Sequence, residues 1–225
     1  PAVFPGSYTL LGMGQGPSPL AAVMPVEVTD GPVAVTLHLR PGTDIQGRVE
    51  MDADSKTPVT QLRIRAFSLN GGNGRNQQPV APDEAGNFTL KGVLPLAYRV
   101  EVSGSADFVR SLSLGGTEGQ GNVIDFSTGS GELRIRMGSR TASLSGRATP
   151  GASIWLQRIG AGQRSITQQW GLTTTPDGTY RVGGLPPGRY RVLAGRPGEG
   201  IPASGGQEIT LTEGENATLD LKVVE

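Results

Sequence analysis

Apolar and polar residues alternate one by one along several short stretches, and this pattern constrains the fold more than any other feature. In the run from Val33 to Leu39, every second residue is Val or Leu. Similar runs lie at 61–66, 133–137 and 219–223. A period of two is typical of a β-strand with one buried face and one wet face. The sequence therefore predicts strands over these runs.

Turn-forming residues separate the alternating runs. Short segments rich in Gly, Pro, Asn and Asp recur between them, at 30–32, 41–42, 70–72, 176–178 and 187–188. These residues supply the backbone angles that tight turns need. No window of 11 residues free of Gly and Pro shows a helical period. We therefore expect an all-β protein built from β-sandwiches.

The chain contains an internal repeat. The segment DGTYRVGGLPPGRYRVLA aligns with AGNFTLKGVLPLAYRVEV, which places Tyr190 on Tyr98, 92 residues away. A third copy of the turn and its tyrosine occurs in FPGSYTLLG, where Tyr8 is the equivalent residue. Gly47 and Gly146 mark a second repeated segment, IQGRVEM and LSGRATP. The repeat predicts tandem sandwich modules, which we expect to have seven strands each when complete.

The repeat predicts three modules, with boundaries at 1–43, 44–141 and 142–225. Each module is expected to close with an alternating strand, at 33–39, 133–137 and 218–224. The first module has its tyrosine strand and closing strand, but not the opening strands that precede them in the third. Two explanations stay open: the chain is a fragment of a longer array, or strands from another molecule complete the module. If each molecule completes the first module of the next, the contact repeats head to tail and builds a filament.

The repeated turns carry a family resemblance. The pattern Asp-Gly-x-aromatic, then Leu-Pro-Pro-Gly-x-Tyr, resembles the carboxypeptidase regulatory-like domain, which is related to prealbumin-like and collagen-adhesin B-type sandwiches. The third module has the whole pattern, from Asp177 to Tyr190. The second module has Ala85 in place of Asp and Leu96 in place of the turn Gly, so we expect a different turn there. The resemblance implies a non-catalytic, Ig-like seven-stranded sandwich, common in arrays on secreted or surface bacterial proteins.

The sequence offers no convincing catalytic, metal-binding or cofactor-binding group. Cys is absent, and the one His, His38, lies on the polar face of a predicted strand, so a Ser-His-Asp site or a His-based zinc site is not expected. Asp52 and Asp54 lack the Gly and Glu of an EF-hand and indicate a hydrated loop. The GMGQG run at 12–16 is followed by prolines rather than a helix, so we expect a flexible turn and no phosphate site. We therefore predict that the chain is not an enzyme and uses no cofactor.

The charge balance argues against a nucleic-acid partner. The chain has 20 basic and 20 acidic residues, and no predicted module is strongly basic. Arg63, Arg65, Arg134 and Arg136 point outward from two predicted strands, and we expect a solvated face with acidic partners rather than a cationic stripe. No apolar run reaches the length of a membrane span.

Two tryptophans are the remaining candidates for a binding site. Alternation in the segment ASIWLQ places Trp155 on the face opposite its apolar neighbours, where it would cover the sheet or stack on a ligand. A site for a glycan or protein would combine Trp155 or Trp170 with the loops at 70–79 and 159–169.

These observations favour a non-enzymatic structural protein, extracellular or on the cell surface, and bacterial by its resemblance. We expect it to act as a stalk or filament subunit that associates head to tail through residues 1–43, with strand complementation of the incomplete first module as the means of assembly. The alternative is a glycan-binding or protein-binding accessory module of a secreted enzyme or outer-membrane receptor.

Overall fold

The computed structural model describes residues 3–14, 20–69, 78–127, 129–159, 166–197, 200–202 and 205–223. These residues form strands and a single 3-10 turn at Val59–Gln61, so the predicted all-β class is confirmed. No helix in the described ranges is long and apolar enough to cross a membrane.

The chain folds into two compact units. The first comprises Pro1–Met51, Lys56–Ser105 and Ser111–Met137. The second comprises Asp52–Ser55, Ala106–Arg110 and Gly138–Glu225.

The first sheet is antiparallel and has the order β1-β2-β3. Its strands are β1 (Gly6–Gly14), β2 (Leu20–Val28) and β3 (Arg40–Pro41). The predicted closing strand at 33–39 is wrong, because the chain forms no strand there and Val33 and Val35 stay exposed. Alternation alone does not make a strand, since the backbone also needs a partner for its N–H and C=O groups.

Eight further strands follow in two sheets, ordered β6-β4-β11-β8-β9 and β10-β7-β5. They are β4 (Thr43–Glu50), β5 (Arg63–Ser68), β6 (Asn87–Val93), β7 (Ala97–Ser103), β8 (Phe108–Leu114), β9 (Thr117–Glu118), β10 (Val123–Asp125) and β11 (Leu133–Gly138). The predicted alternation is confirmed here, since Ile64 and Ala66 in β5 and Leu62 directly before it are fully buried. In β11, Leu133 and Ile135 are fully buried in the same way, and the strand pairs in parallel with β4.

The remaining strands form the sheets β15-β12-β18 and β14-β13-β16-β17. They are β12 (Ala142–Arg147), β13 (Ser153–Ile159), β14 (Ile166–Thr173), β15 (Thr179–Leu185), β16 (Gly188–Gly195), β17 (Gln207–Leu211) and β18 (Asn216–Thr218). One apolar core joins the two sheets, with Leu144 from one and Leu156 and Tyr190 from the other. The predicted closing strand at 218–224 is wrong beyond Thr218, where β18 ends, because residues 219–223 form no regular strand. The N–H groups of Leu219 and Leu221 nevertheless donate to carbonyls of β12, so the chain still follows that strand.

The glycine of each opening strand makes room for an aromatic ring. In the pairing of β4 with β6, Gly47 lies opposite Phe88, and a Cβ on Gly47 would meet the ring at 2.2 Å. In the pairing of β12 with β15, Gly146 lies opposite Tyr180 in the same way. The repeated glycine therefore has a steric cause, which is the same in both sandwiches.

Candidate assembly surface

In all three repeats the tyrosine hydroxyl forms a hydrogen bond with the backbone of the residue four positions earlier. The Tyr190 hydroxyl donates to the carbonyl of Pro186, four residues earlier. The Tyr8 hydroxyl donates to the carbonyl of Phe4, also four residues earlier, at 2.8 Å. The Tyr98 hydroxyl accepts from the N–H four residues before it, at 3.3 Å. The chain therefore enters the tyrosine strand in the same way in the first and third repeats and in a different way in the second.

In the first and third repeats, the strand that contains the tyrosine also pairs with the following strand in an equivalent register. In β1 and β2, Tyr8 lies opposite Val26, and the turn glycine two residues earlier lies opposite Val28. In β16 and β17, Tyr190 lies opposite Ile209, and the equivalent glycine lies opposite Leu211. The first sheet is thus the structural counterpart of one half of a sandwich sheet.

The environment of the tyrosine is where the first repeat differs. Tyr190 is 0% exposed and Tyr98 is 2% exposed, whereas Tyr8 is 41% exposed. Burial raises the pKa of Tyr190 to about 12 and raises the pKa of Tyr98 as well. In the two sandwiches the tyrosine is a core residue, and in the first sheet its equivalent is open to solvent.

One face of the first sheet is apolar throughout. Residues opposite each other in an antiparallel pair project from the same face. The face that holds Tyr8 also holds Leu10, Met24, Val26 and Val28, and we call these five residues the open apolar face. Leu10 is 36% exposed. On the other face, toward the same end of the hairpin, the Ser7 hydroxyl donates to the Glu27 carboxylate at 2.6 Å.

The exposed apolar side chains of the described chain concentrate around this sheet. Of ten large apolar residues with exposed side chains, eight lie between residues 3 and 39: Val3, Phe4, Tyr8, Leu10, Met13, Val33, Val35 and Leu39. Tyr8 and Leu10 project from one face of β1 and Met13 from the other, so we take the face of Tyr8 and Leu10 as the candidate interaction surface.

One end of the sheet is partly covered from within the chain. A Cβ on Gly12 would lie 2.9 Å from Cδ1 of Leu37, and a Cβ on Gly14 would lie 3.4 Å from a methyl carbon of Leu39. The predicted turn at 12–16 is therefore wrong for these two glycines, which lie in β1 because leucine side chains pack across them. Met13 between them also lies in β1, and residues 15 and 16 lie outside the described residues.

The structure brings none of the chemistry-bearing candidates into a catalytic group. His38 is exposed within the segment that forms no strand. Asp52 accepts from the Ser139 N–H at 3.2 Å and from Arg110 at 3.1 Å, and these bonds hold the pKa of Asp52 below its usual value. Asp54 is exposed. Within the described ranges, no three His, Asp or Glu residues are placed to hold a metal ion.

The four candidate arginines lie in two different sheets. Arg134 pairs with Glu132 at 2.7 Å, and Arg136 pairs with a Glu on β4 at 3.0 Å. The Arg63 guanidinium donates to backbone carbonyls at the end of the 3-10 turn, and that of Arg65 lies 5.2 Å from the centre of the Phe67 ring. Because the strands are not neighbours, the arginines form no common cationic stripe.

The two tryptophans are placed on opposite faces of one sheet. Trp155 lies on the outer face and covers the sheet, since a Cβ added to Gly171 would lie 3.6 Å from its ring and one added to Gly195 would lie 2.8 Å from it. Trp170 lies on the inner face, with its ring centre 5.7 Å from that of Tyr190. The loops expected to join them lie largely outside the described residues, so a ligand site there stays a prediction.

The turns that carry the family pattern are well formed in the second unit. Asp177 accepts from the hydroxyls of Thr175 and Thr179, which lowers its pKa, and Gly178 has a φ of 78°. Residues 140–224 match the carboxypeptidase regulatory-like domain. The resemblance is thus confirmed over this part of the chain. The expected difference at the second turn is present too, since Gly188 has a φ of 150° and Leu96 has no positive φ.

Comparison with solved structures finds pilins. The minor pilin of Streptococcus agalactiae matches with 13% identity and a TM-score of 0.40, covering 80% of this chain and 94% of the pilin. A streptococcal ancillary pilin matches with 13% identity and a TM-score of 0.38, covering 99% and 76%. The major pilin subunit of Bacillus cereus matches with 7% identity and a TM-score of 0.28, covering 80% and 98%. A search of curated protein sequences gives no match.

Proposed function

We propose that the chain is a non-enzymatic structural subunit of an extracellular or cell-surface stalk or filament, and that residues 1–43 associate head to tail with a neighbouring copy. One observation carries the proposal. Tyr8 and Val26 have the strand register of Tyr190 and Ile209, yet Tyr8 is 41% exposed where Tyr190 is 0% exposed. The same apolar pattern is a core in one place and a surface in the other.

Covering this surface is energetically favourable. Burying a fully exposed side chain the size of Leu or Val stabilises by about 1.5–3 kcal/mol. Tyr8 and Leu10 are 41% and 36% exposed, and the other three residues of the open apolar face are half-buried, so each contributes a fraction of that amount. An obligate interface of this kind buries more than about 2,000 Å² in total. The matching surface on the neighbour would also satisfy backbone groups along the free edge of β1.

The work of such a subunit is mechanical. Hydrogen bonds between strands and the buried side chains of each sandwich hold the polypeptide against extension, and the contact at residues 1–43 joins one copy to the next. A secreted or surface location fits the resemblance of the second unit to domains that occur in arrays on such proteins.

The test is the mass distribution of the purified chain, measured by light scattering with electron microscopy of the same sample. We expect concentration-dependent oligomers or regular filaments, and we expect L10E to abolish them because it places a charge on the open apolar face. The matched control is L69E, since Leu69 is a leucine of similar exposure (44%, against 36% for Leu10) outside this surface. A stable monomer near 23 kDa at all concentrations, or equal effects of both variants, would contradict the proposal.

A further inference from the structure

The edges of the sheets differ in how well they are protected. Ten strands lie at the edges of the five described sheets. Eight of them carry a charged residue or have no more than three residues. Charges and short length are the common means by which edge strands avoid pairing with another chain.

The two exceptions are β1 and β14. Strand β1 has nine residues, GSYTLLGMG, and β14 has eight, ITQQWGLT, and neither contains a charged residue or a proline. Within the described ranges, β1 pairs on one side only, with β2, and β14 pairs on one side only, with β13. Each therefore presents a row of unpaired backbone donors and acceptors that another strand can satisfy.

We propose that β14 of one copy pairs with β1 of the next copy, so that these two edges form the head-to-tail contact. This inference rests on the proposed function, because it names the strand that a neighbour supplies. A contact between two different edges is heterologous and leaves β14 free on one end copy and β1 free on the other. Growth therefore continues, as a filament requires.

The two edges match in length. Strands of eight and nine residues at about 3.4 Å per residue extend about 27–31 Å, so one can pair with nearly the whole of the other. Neither edge brings a charge into the new ladder, so no ion has to be desolvated when they meet.

The side chains match as well. In β14, Trp170 and Leu172 face the core of their sandwich. In β1, Tyr8 and Leu10 belong to the open apolar face. A register that places these pairs on the same side of the joined sheet makes the open apolar face continue the buried layer of the neighbouring sandwich. The side chains of Thr9 in β1 and Gln169 in β14 then share the outer side.

The absence of cysteine from the chain makes a direct test possible. The T9C variant is mixed under mild oxidation with Q169C, G171C or T173C, which sample three registers on the outer side of β14. The matched control is T210C, at an exposed position on β17, the other edge of the same sheet. A disulfide needs Cα atoms within about 7 Å, so we expect about tenfold more mixed covalent dimer with one β14 variant than with T210C.

The outcomes separate this inference from the proposed function. Cross-linking of T9C to T210C would overturn the β1–β14 contact and would mean that β1 of one copy pairs with β17 of the next. Cross-linking of T9C to itself would also overturn it and would mean that two copies associate through β1 by a two-fold contact. Oligomers with no cross-link to any β14 position would also overturn it. Absence of oligomers altogether would overturn the proposed function as well. Light scattering of each single variant, before oxidation, establishes which case applies.

Discussion

The opening strand of each sandwich has a glycine over which the aromatic ring of the neighbouring strand lies. Gly146 lies opposite Tyr180, and a Cβ there would stand 2.0 Å from the carbonyl oxygen of Leu219 and 3.0 Å from the Tyr180 ring. The Tyr180 hydroxyl also donates to that carbonyl. Even the smallest side chain would therefore displace both the ring and the closing segment of the sandwich.

We predict that G146A lowers the free energy of unfolding by about 1–3 kcal/mol, the usual cost of inserting atoms into a well-packed site. The matched control is G183A on β15, where an added Cβ meets nothing within 4 Å and φ is not positive. Because Gly in a strand costs about 0.5–1 kcal/mol relative to Ala, G183A should leave stability unchanged or raise it by up to about 1 kcal/mol. Urea unfolding followed by tryptophan fluorescence measures both, since both tryptophans lie in the second unit. Equal losses for the two variants would contradict the steric account.

At the scale of the strand, one alternating pattern has two outcomes in this chain. The run at 133–137 becomes β11, which lies between β4 and β8 and buries its alternate residues completely. The run at 33–39 has the same alternation, but its Leu and Val side chains remain partly or largely exposed. The difference is in the neighbours, because β11 has strands on both sides and 33–39 has none among the described residues.

We predict that this difference appears directly in mutant stability. I135A should cost about 2–5 kcal/mol, because it leaves a cavity at a fully buried position. L39A removes a side chain that is 37% exposed, and should cost less than about 1 kcal/mol. Circular dichroism during urea unfolding of the dilute chain measures both. A loss from L39A as large as that from I135A would mean that residues 33–39 are packed as a strand in solution.

The sequence predicts strand positions well where the partners are in the same chain. The alternation at 61–66 and 133–137, the opening glycines and the tyrosine turns all give the observed elements, because each pattern reflects a local steric or burial requirement. The turn at 12–16 and the strand at 33–39 fail for a different reason. Gly12 and Gly14 are small because Leu37 and Leu39 pack near them, and that contact is set by tertiary structure, which no short pattern records.

The candidate surface could be anticipated only in part. The repeat indicates that Tyr8 is equivalent to Tyr98 and Tyr190, and therefore that its strand belongs to a repeat of the same kind. The uncharged edge of β14 could not be recognised from sequence, because which strands lie at a sheet edge depends on strand order. The sequence QQWG near its centre has no feature of its own that distinguishes an edge from an interior strand.

At the scale of the whole molecule, stability should be uneven. Each sandwich has buried aromatic and aliphatic residues, whereas in the first sheet Ala21 is the one described hydrophobic residue with a buried side chain. Elements with few buried contacts open locally at low cost in free energy, even when the rest of the protein stays folded. Residues 1–43 should therefore be the part of the chain whose order depends most on association.

We predict that hydrogen exchange of β1 depends on protein concentration and that exchange of β16 does not. In the dilute chain, amides of Gly6–Gly14 should exchange fast, because one edge is unpaired and the open apolar face is in contact with water. In the assembled chain they should be protected, while amides of β16, which pair on both sides, should be protected at either concentration. Exchange followed by mass spectrometry at two concentrations measures both strands in one sample, with L10E as the non-associating reference. Strong protection of β1 at the lowest concentration would mean that the sheet is stable alone, and rapid exchange of β1 within filaments would mean that the copies are joined through another surface.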